Sequence, residues 1–216
     1  SARLDADLSA TMRLQLSPEA DAMVRRVTIT NNGTRPRRLD AVSYSELVLG
    51  PAADDRAHPG FSKMFVRTWF ADEGSVLIAT RRRRSPSDPE VWAAHFVHVE
   101  RGAEFVHGAP VPETDRRRFV GRGGDLARPA MLAPGGAASG TVGDPLDPIF
   151  SLSQQLVIPP GERVELDWWT VVAPHREQLM IDVGRHRTAG AAERLAMLAS
   201  TQSQVQLRHL GIDSHQ

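Results

Sequence analysis

The 216 residues carry 26 Lys and Arg against 26 Asp and Glu, so the formal net charge is zero and no global field favours nucleic acid or a membrane surface. There are no cysteines, which excludes disulfides, thiolate catalysis and cysteine-based metal sites and leaves the redox compartment open. A chain of this length with 41% hydrophobic content can bury one substantial core.

Lys63 is the only lysine, a bias that codon usage in a GC-rich genome explains as readily as function does. No apolar run approaches the ~18 residues of a membrane span. Residues 1–5 hold no signal-peptide hydrophobic region. A start this polar, running straight into a strand pattern, reads as the edge of a longer chain.

Alternation of apolar and polar residues predicts strands over 12–16 and 23–30, joined by a turn at 17–21. Asn31-Asn32-Gly33 is a hairpin signal, because Asn and Gly tolerate the positive φ angles of tight primed turns. The return strand is expected from about Arg38 to Leu49. Residues 51–62 read as a long connection. Strands over 64–70 and 76–80 form the next pair, joined by 71–74, and Arg81 to Arg84 close it. Residues 92–99 are apolar on both faces and predict a central strand.

Between His107 and Pro148 the texture changes. That window holds eight of the 17 glycines and six of the 15 prolines, too many for regular elements, so it reads as one long loop. Strands resume over 149–158 and 164–172, with Pro159-Pro160-Gly161-Glu162 as a type II hairpin turn. Helical spacing then covers 175–187, and again from Ala189 through Leu207 and Leu210. About nine strands followed by helices predict a mainly β fold, an antiparallel β-sandwich over 1–173 followed by C-terminal linker helices over 174–216. The helices either cross one sheet or lead into a neighbouring helical domain, and the polar start and the 211–213 tail favour the second.

The segment 113–124 concentrates four arginines, two carboxylates, Phe119 and three glycines, too polar for a buried strand and too irregular for an amphipathic helix. Glu113 with Asp115, or Asp144 with Asp147, has the chemistry for acid-base work on a glycosidic bond. Asp before Pro is also a stock turn element, which favours a structural role for Asp144 and Asp147. No histidine pair has the i, i+4 spacing of a helical zinc site, and His95 and His98 fall on opposite faces of one strand. There is no Gly-x-Ser-x-Gly and no Gly-x-x-x-x-Gly-Lys. Gly121-Arg122-Gly123-Gly124 follows no strand of a βαβ unit, which removes the dinucleotide reading. No aromatic interleaves Arg81 to Arg84 in sequence, so that run reads as solvated rather than as a nucleic-acid patch. Trp168 and Trp169 point to opposite faces, one to the core and the other free to meet a neighbour.

Several stretches together resemble a known family. They are 24–33 (Val-Arg-Arg-Val-Thr-Ile-Thr-Asn-Asn-Gly), 58–66 (His-Pro-Gly-Phe-Ser-Lys-Met-Phe-Val), Glu113-Thr114-Asp115-Arg116 with 118–123 (Arg-Phe-Val-Gly-Arg-Gly), and 147–152 (Asp-Pro-Ile-Phe-Ser-Leu). In order, they resemble the sandwich region of glycoside hydrolase family ninety-four, the cellobiose-phosphorylase type. Within it the resemblance is to the C-terminal phosphorylase-like region of bacterial cyclic β-1,2-glucan synthases.

The resemblance implies a non-catalytic sandwich of a larger glycoside phosphorylase or glycosyltransferase, followed there by linker helices and an (α/α)6 barrel. The general-acid aspartate and most phosphate ligands belong to that barrel, so Asp115 is not assigned the acid's role and no cofactor is expected here. Inorganic phosphate is implied for the parent enzyme only. The implied partners are the barrel, a β-glucan oligosaccharide and a second copy in a homodimer, with no nucleic acid and no membrane contact by this segment. The implied setting is cytoplasmic, as part of an inner-membrane synthase. Substrate-side candidates are Asp115, Arg116, Arg118, Phe119, Arg122 and Trp69, through forked hydrogen bonds and ring stacking. An autonomous carbohydrate-binding module is the alternative.

Overall fold

A computed structural model describes residues 2–3, 7–71 and 75–209. Its strands are β1 Ala2–Arg3, β2 Leu8–Leu16, β3 Ala22–Asn31, β4 Arg37–Val42, β5 Ser45–Glu46, β6 Val66–Ala71, β7 Val76–Arg81, β8 Trp92–Arg101, β9 Val106–Asp115, β10 Pro148–Ile158 and β11 Arg163–Ala173. The helices are α1 Ala52–Ala57, α2 Pro59–Lys63, α3 Arg116–Val120, α4 Arg176–His186 and α5 Ala191–His209. The expected turn at 72–74, Leu210 and the tail 211–213 lie outside the described residues.

Two antiparallel sheets face each other. The larger runs β1-β2-β3-β11-β8-β7-β6; in the smaller, β10 is flanked by β9 on one edge and by β4 and then β5 along the other. The sandwich interior is filled by Ile29, Leu77, Ala79, Ala93, Leu166 and Trp168 from the large sheet against Phe150, Leu152, Leu156 and Ile158 of β10. The alternate residues Val24, Ile78, Ala94, Phe96, Trp169 and Val171 form a second apolar layer beneath Leu179 and Val183 of α4 and Ala191, Ala192 and Leu195 of α5. A strand covered on both faces needs apolar residues on both, which is why β8 and β11 lack simple alternation. The antiparallel sandwich with C-terminal helices agrees with the sequence reading, and β8 is indeed central, between β11 and β7.

Several local expectations are corrected. Asn31-Asn32-Gly33 and Pro159-Gly161 do not make hairpins, because β3 and β4 lie in different sheets, and so do β10 and β11. Turn residues specify a local reversal, and here both reversals carry the chain from one sheet to the other. The two corners interlock: Asn31 N–H donates to Glu162 O at 3.0 Å and Gly161 N–H to Asn31 O at 2.9 Å. The fully buried Asn31 side chain adds donations to Arg35 O and Ile158 O, both at 2.9 Å.

The expected loop from His107 begins as strand β9. Its prolines are tolerated because β9 pairs with β10 alone, across two register shifts, and an edge strand can spare its outward amides. The connection at 51–62 holds α1 and α2. Trp169 is fully buried rather than free: α4 and the first turns of α5 close over it. Those helices thus cross the sheet, while α5 beyond Ala199 is exposed at nearly every position.

Candidate functional site

The loop after β9 is held from inside. Glu113, 1% exposed, accepts hydrogen bonds from Asp115 N at 3.0 Å, Ser139 N at 3.3 Å and Ser139 Oγ at 2.6 Å. Thr114 Oγ1 donates to Thr141 O at 3.0 Å beside it. Asp115 caps α3, its Oδ1 accepting from Arg117 N at 2.9 Å. Phe119, Val120 and Met131 pack with Ile149 on the outer face of the small sheet, and Phe119 meets the Tyr44 ring at 4.8 Å. The glycines serve this packing: a Cβ on Gly121, at φ +86°, would lie 2.6 Å from Ala130 Cβ, and one on Gly124 would lie 2.3 Å from Val120 O.

A chain of charges ties the loop to the sandwich. Lys63 Nζ donates to Asp147 Oδ1 at 3.0 Å, and Asp147 Oδ2 lies 3.7 Å from Arg116 Nη1. Arg116 Nε donates to Tyr44 Oη at 3.1 Å and Glu46 Oε1 at 3.2 Å. The Tyr44 hydrogen bond, ahead of the opposing cost of burial, raises the Arg116 pKa. Burial raises the Tyr44 pKa. Further along, Thr68 and Gly143 exchange backbone hydrogen bonds of 2.7 and 2.9 Å, and Arg67 Nε donates to Asp144 Oδ1 at 3.1 Å.

Beside Lys63 the surface continues into an arginine corner. The guanidinium carbons of Arg81, Arg82 and Arg84 lie 5.6, 5.8 and 5.5 Å from the Phe65 ring centre. Aromatics therefore do interleave the basic run, in space though not in sequence. Arg81 Nη1 is spent on Ser62 O, at 2.6 Å, and Val48 O, at 3.3 Å.

Residues 2–189 match the glycosyl hydrolase 94 supersandwich domain. The chain belongs to that family. It is 42% identical over 208 residues to the cyclic beta-(1,2)-glucan synthase NdvB of Rhizobium meliloti, covering 96% of this chain and 7% of that protein's length. A solved polysaccharide lyase is also similar, with a TM-score of 0.47 at 16% identity, over 86% of this chain and 23% of its own. No helix among the described residues is long and apolar enough to cross a membrane.

Within the supersandwich domain the predicted residues separate. Asp115 and Arg116 are engaged, as a helix cap and in the charge chain. Phe119 is 3% exposed and belongs to the core beneath the loop rather than to its open face. Arg118 and Arg122, with Arg117 and Arg128, are exposed, and their side chains have no partner among the described residues. Trp69 is not brought to the loop: it packs with the helix-side layer of the large sheet, edge-on to Trp92 at 5.5 Å. The carboxylates Glu113, Asp115, Asp144 and Asp147 each hold a partner already, so neither pair stands free for acid-base work.

Sequence reading missed the Phe61 and Phe65 corner. Its only signal was their four-residue spacing next to an unexplained arginine run.

Proposed function

We propose that this supersandwich domain is a non-catalytic part of a cyclic β-1,2-glucan synthase-type protein, and that its loop face packs against the catalytic (α/α)6 region of the longer chain on the glucan side. The observation that carries this is the contrast within the loop. At the loop's root Glu113 accepts three hydrogen bonds and Arg116 pairs with Tyr44 and Glu46; the side chains of Arg117, Arg118, Arg122 and Arg128 have no partner among the described residues, in the same loop as the exposed Leu126 and Leu132, 47% and 55% accessible. A rigid loop that presents planar cations and apolar side chains is suited to forked contacts with carboxylates or sugar hydroxyls.

The test has two arms. In the full-length synthase, Arg118→Glu with Arg122→Glu should cut glucan formation at least tenfold while the protein still folds. The purified chain should show no phosphate-dependent cleavage of β-glucosides. Activity in the isolated chain, or full activity in the double variant, contradicts the proposal.

A further inference from the structure

The corner formed by α1, α2 and Arg81 to Arg84 lies beyond Lys63, the residue through which α2 joins the loop's charge chain. It encloses a groove of about 150 Å³ lined by Asp54, His58, Phe61, Ser62, Arg81 and Arg84, among others. A cleft of about 70 Å³ adjoins it and shares Asp54, Arg81 and Arg84. Phe61 is 52% exposed; Phe65 meets its ring edge-on at 5.3 Å, and the Arg84 guanidinium carbon lies 5.8 Å from its centre. The floor is built, because Arg81 is locked onto Ser62 O and Ser62 Oγ, at 2.6 and 3.1 Å, and Ser62 itself is 2% exposed.

A neutral pyranose asks three things of a site: an apolar ring for its C–H face, donors for its oxygens and acceptors for its hydroxyl protons. Phe61 supplies the first. Arg84 and Asp54, an ion pair 3.6 Å apart in the groove's lining, supply the other two in one charge-balanced pair. An anion would meet the Asp54 carboxylate at the same place, which disfavours it.

We propose that this groove is a sugar subsite, which seats one ring of a neutral glucan on Phe61 with a hydroxyl bridging the open side of the Arg84–Asp54 pair. The idea rests on the glucan-side role proposed above, but it places the sugar on different residues from the loop arginines.

The experiment titrates the purified chain with β-1,2-linked glucan oligosaccharides, read by saturation-transfer NMR and calorimetry, with inorganic phosphate as a parallel probe. Saturable binding is expected, at least tenfold weaker in Phe61→Ala and in Asp54→Asn and unchanged in the remote control Met197→Ala. Both test positions are exposed, and circular dichroism checks that both variants fold. Binding that survives Phe61→Ala but is lost in Arg118→Ala with Arg122→Ala overturns this subsite and leaves the loop-face reading standing. Phosphate binding without saccharide binding also overturns it. No saccharide binding by the wild-type chain removes both this subsite and glucan contact at the loop, while the packing role stays open to its own test.

Discussion

Ser139 donates its hydroxyl proton to Glu113 Oε2 across 2.6 Å, so a carboxylate at the end of β9 holds a residue 26 positions further along the chain. The contact closes the loop on itself. Removing the carboxylate takes the acceptor from Asp115 N–H and from both donors of Ser139, although the exposed Ser139 can turn to water. Glu113→Ala should therefore lower stability by about 1–2 kcal/mol in urea unfolding, and Glu113→Gln by less. Hydrogen exchange should speed up across 116–147 first, with the large sheet still protected. Equal loss of protection in both sheets would contradict the tether.

His95 is fully buried, its Nε2 2.8 Å from Ser43 Oγ and its Nδ1 3.1 Å from Thr170 Oγ1, with its ring stacked near Phe150 and Trp168. Burial first, and the nearby Arg25 charge second, push its pKa down to about 3 from an ordinary 6.5. The folded state thus favours the neutral ring. The resulting stability is fully present above pH 6.5 and is lost as pH falls from there toward 3, on the order of 5 kcal/mol in total. Urea titrations between pH 4 and 8 should give the wild type one proton's more slope than His95→Gln. Identical slopes would rule out the coupling.

Arg26 forks onto the buried Asp167 at 2.6 and 2.7 Å and also reaches Glu193 of α5. The Asp167 hydrogen bonds are the largest cause raising its pKa. Arg26→Ala leaves a buried carboxylate unpaired and should cost about 3–5 kcal/mol. Glu193→Gln, at a half-exposed position, should cost less than about 1 kcal/mol. Thermal unfolding of the two variants, with Arg26→Lys between them because a lysine cannot fork, checks the order.

Asn31 donates to two carbonyls from a fully buried position, joining the corner after β3 to the end of β10. Asn31→Asp exchanges a donor for a charge facing those carbonyls and should destabilise by about 3 kcal/mol or more. Asn31→Ala should be milder. Chemical denaturation at neutral pH distinguishes them, and an Asp variant as stable as wild type would contradict the geometry.

The sandwich was legible because burial on two faces leaves its mark on Ala93 to Phe96 and on Leu166 to Val171. The pairing of β2 with β3 and of β6 with β7 was legible as well, but the partners across the corners after β3 and β10 were not, since Asn-Gly and Pro-Gly report where a chain reverses but not which sheet receives it. Strand β9 was hidden by Pro110 and Pro112, whose missing amides matter only when both edges of a strand are paired. At the loop, composition marked the right segment. Sequence could not separate Arg116, tied to Tyr44 some 72 positions away, from Arg118, which has no partner among the described residues. The aromatic corner needed the strand pairing of Val66 with Arg81, which brings the arginine run alongside Phe65.

Strand β11, the last strand among the described residues, lies between β3 and β8 in the large sheet. On a ribosome, β3 would emerge early and wait without its inner neighbour until residue 173 is made, because among the described residues only β11 joins the β1-β2-β3 portion to the β8-β7-β6 portion. Synthesis that stalls between residues 101 and 163 leaves two half-sheets with open edges, species prone to sticking to one another or to chaperones. The joining of the large sheet is therefore decided by β11.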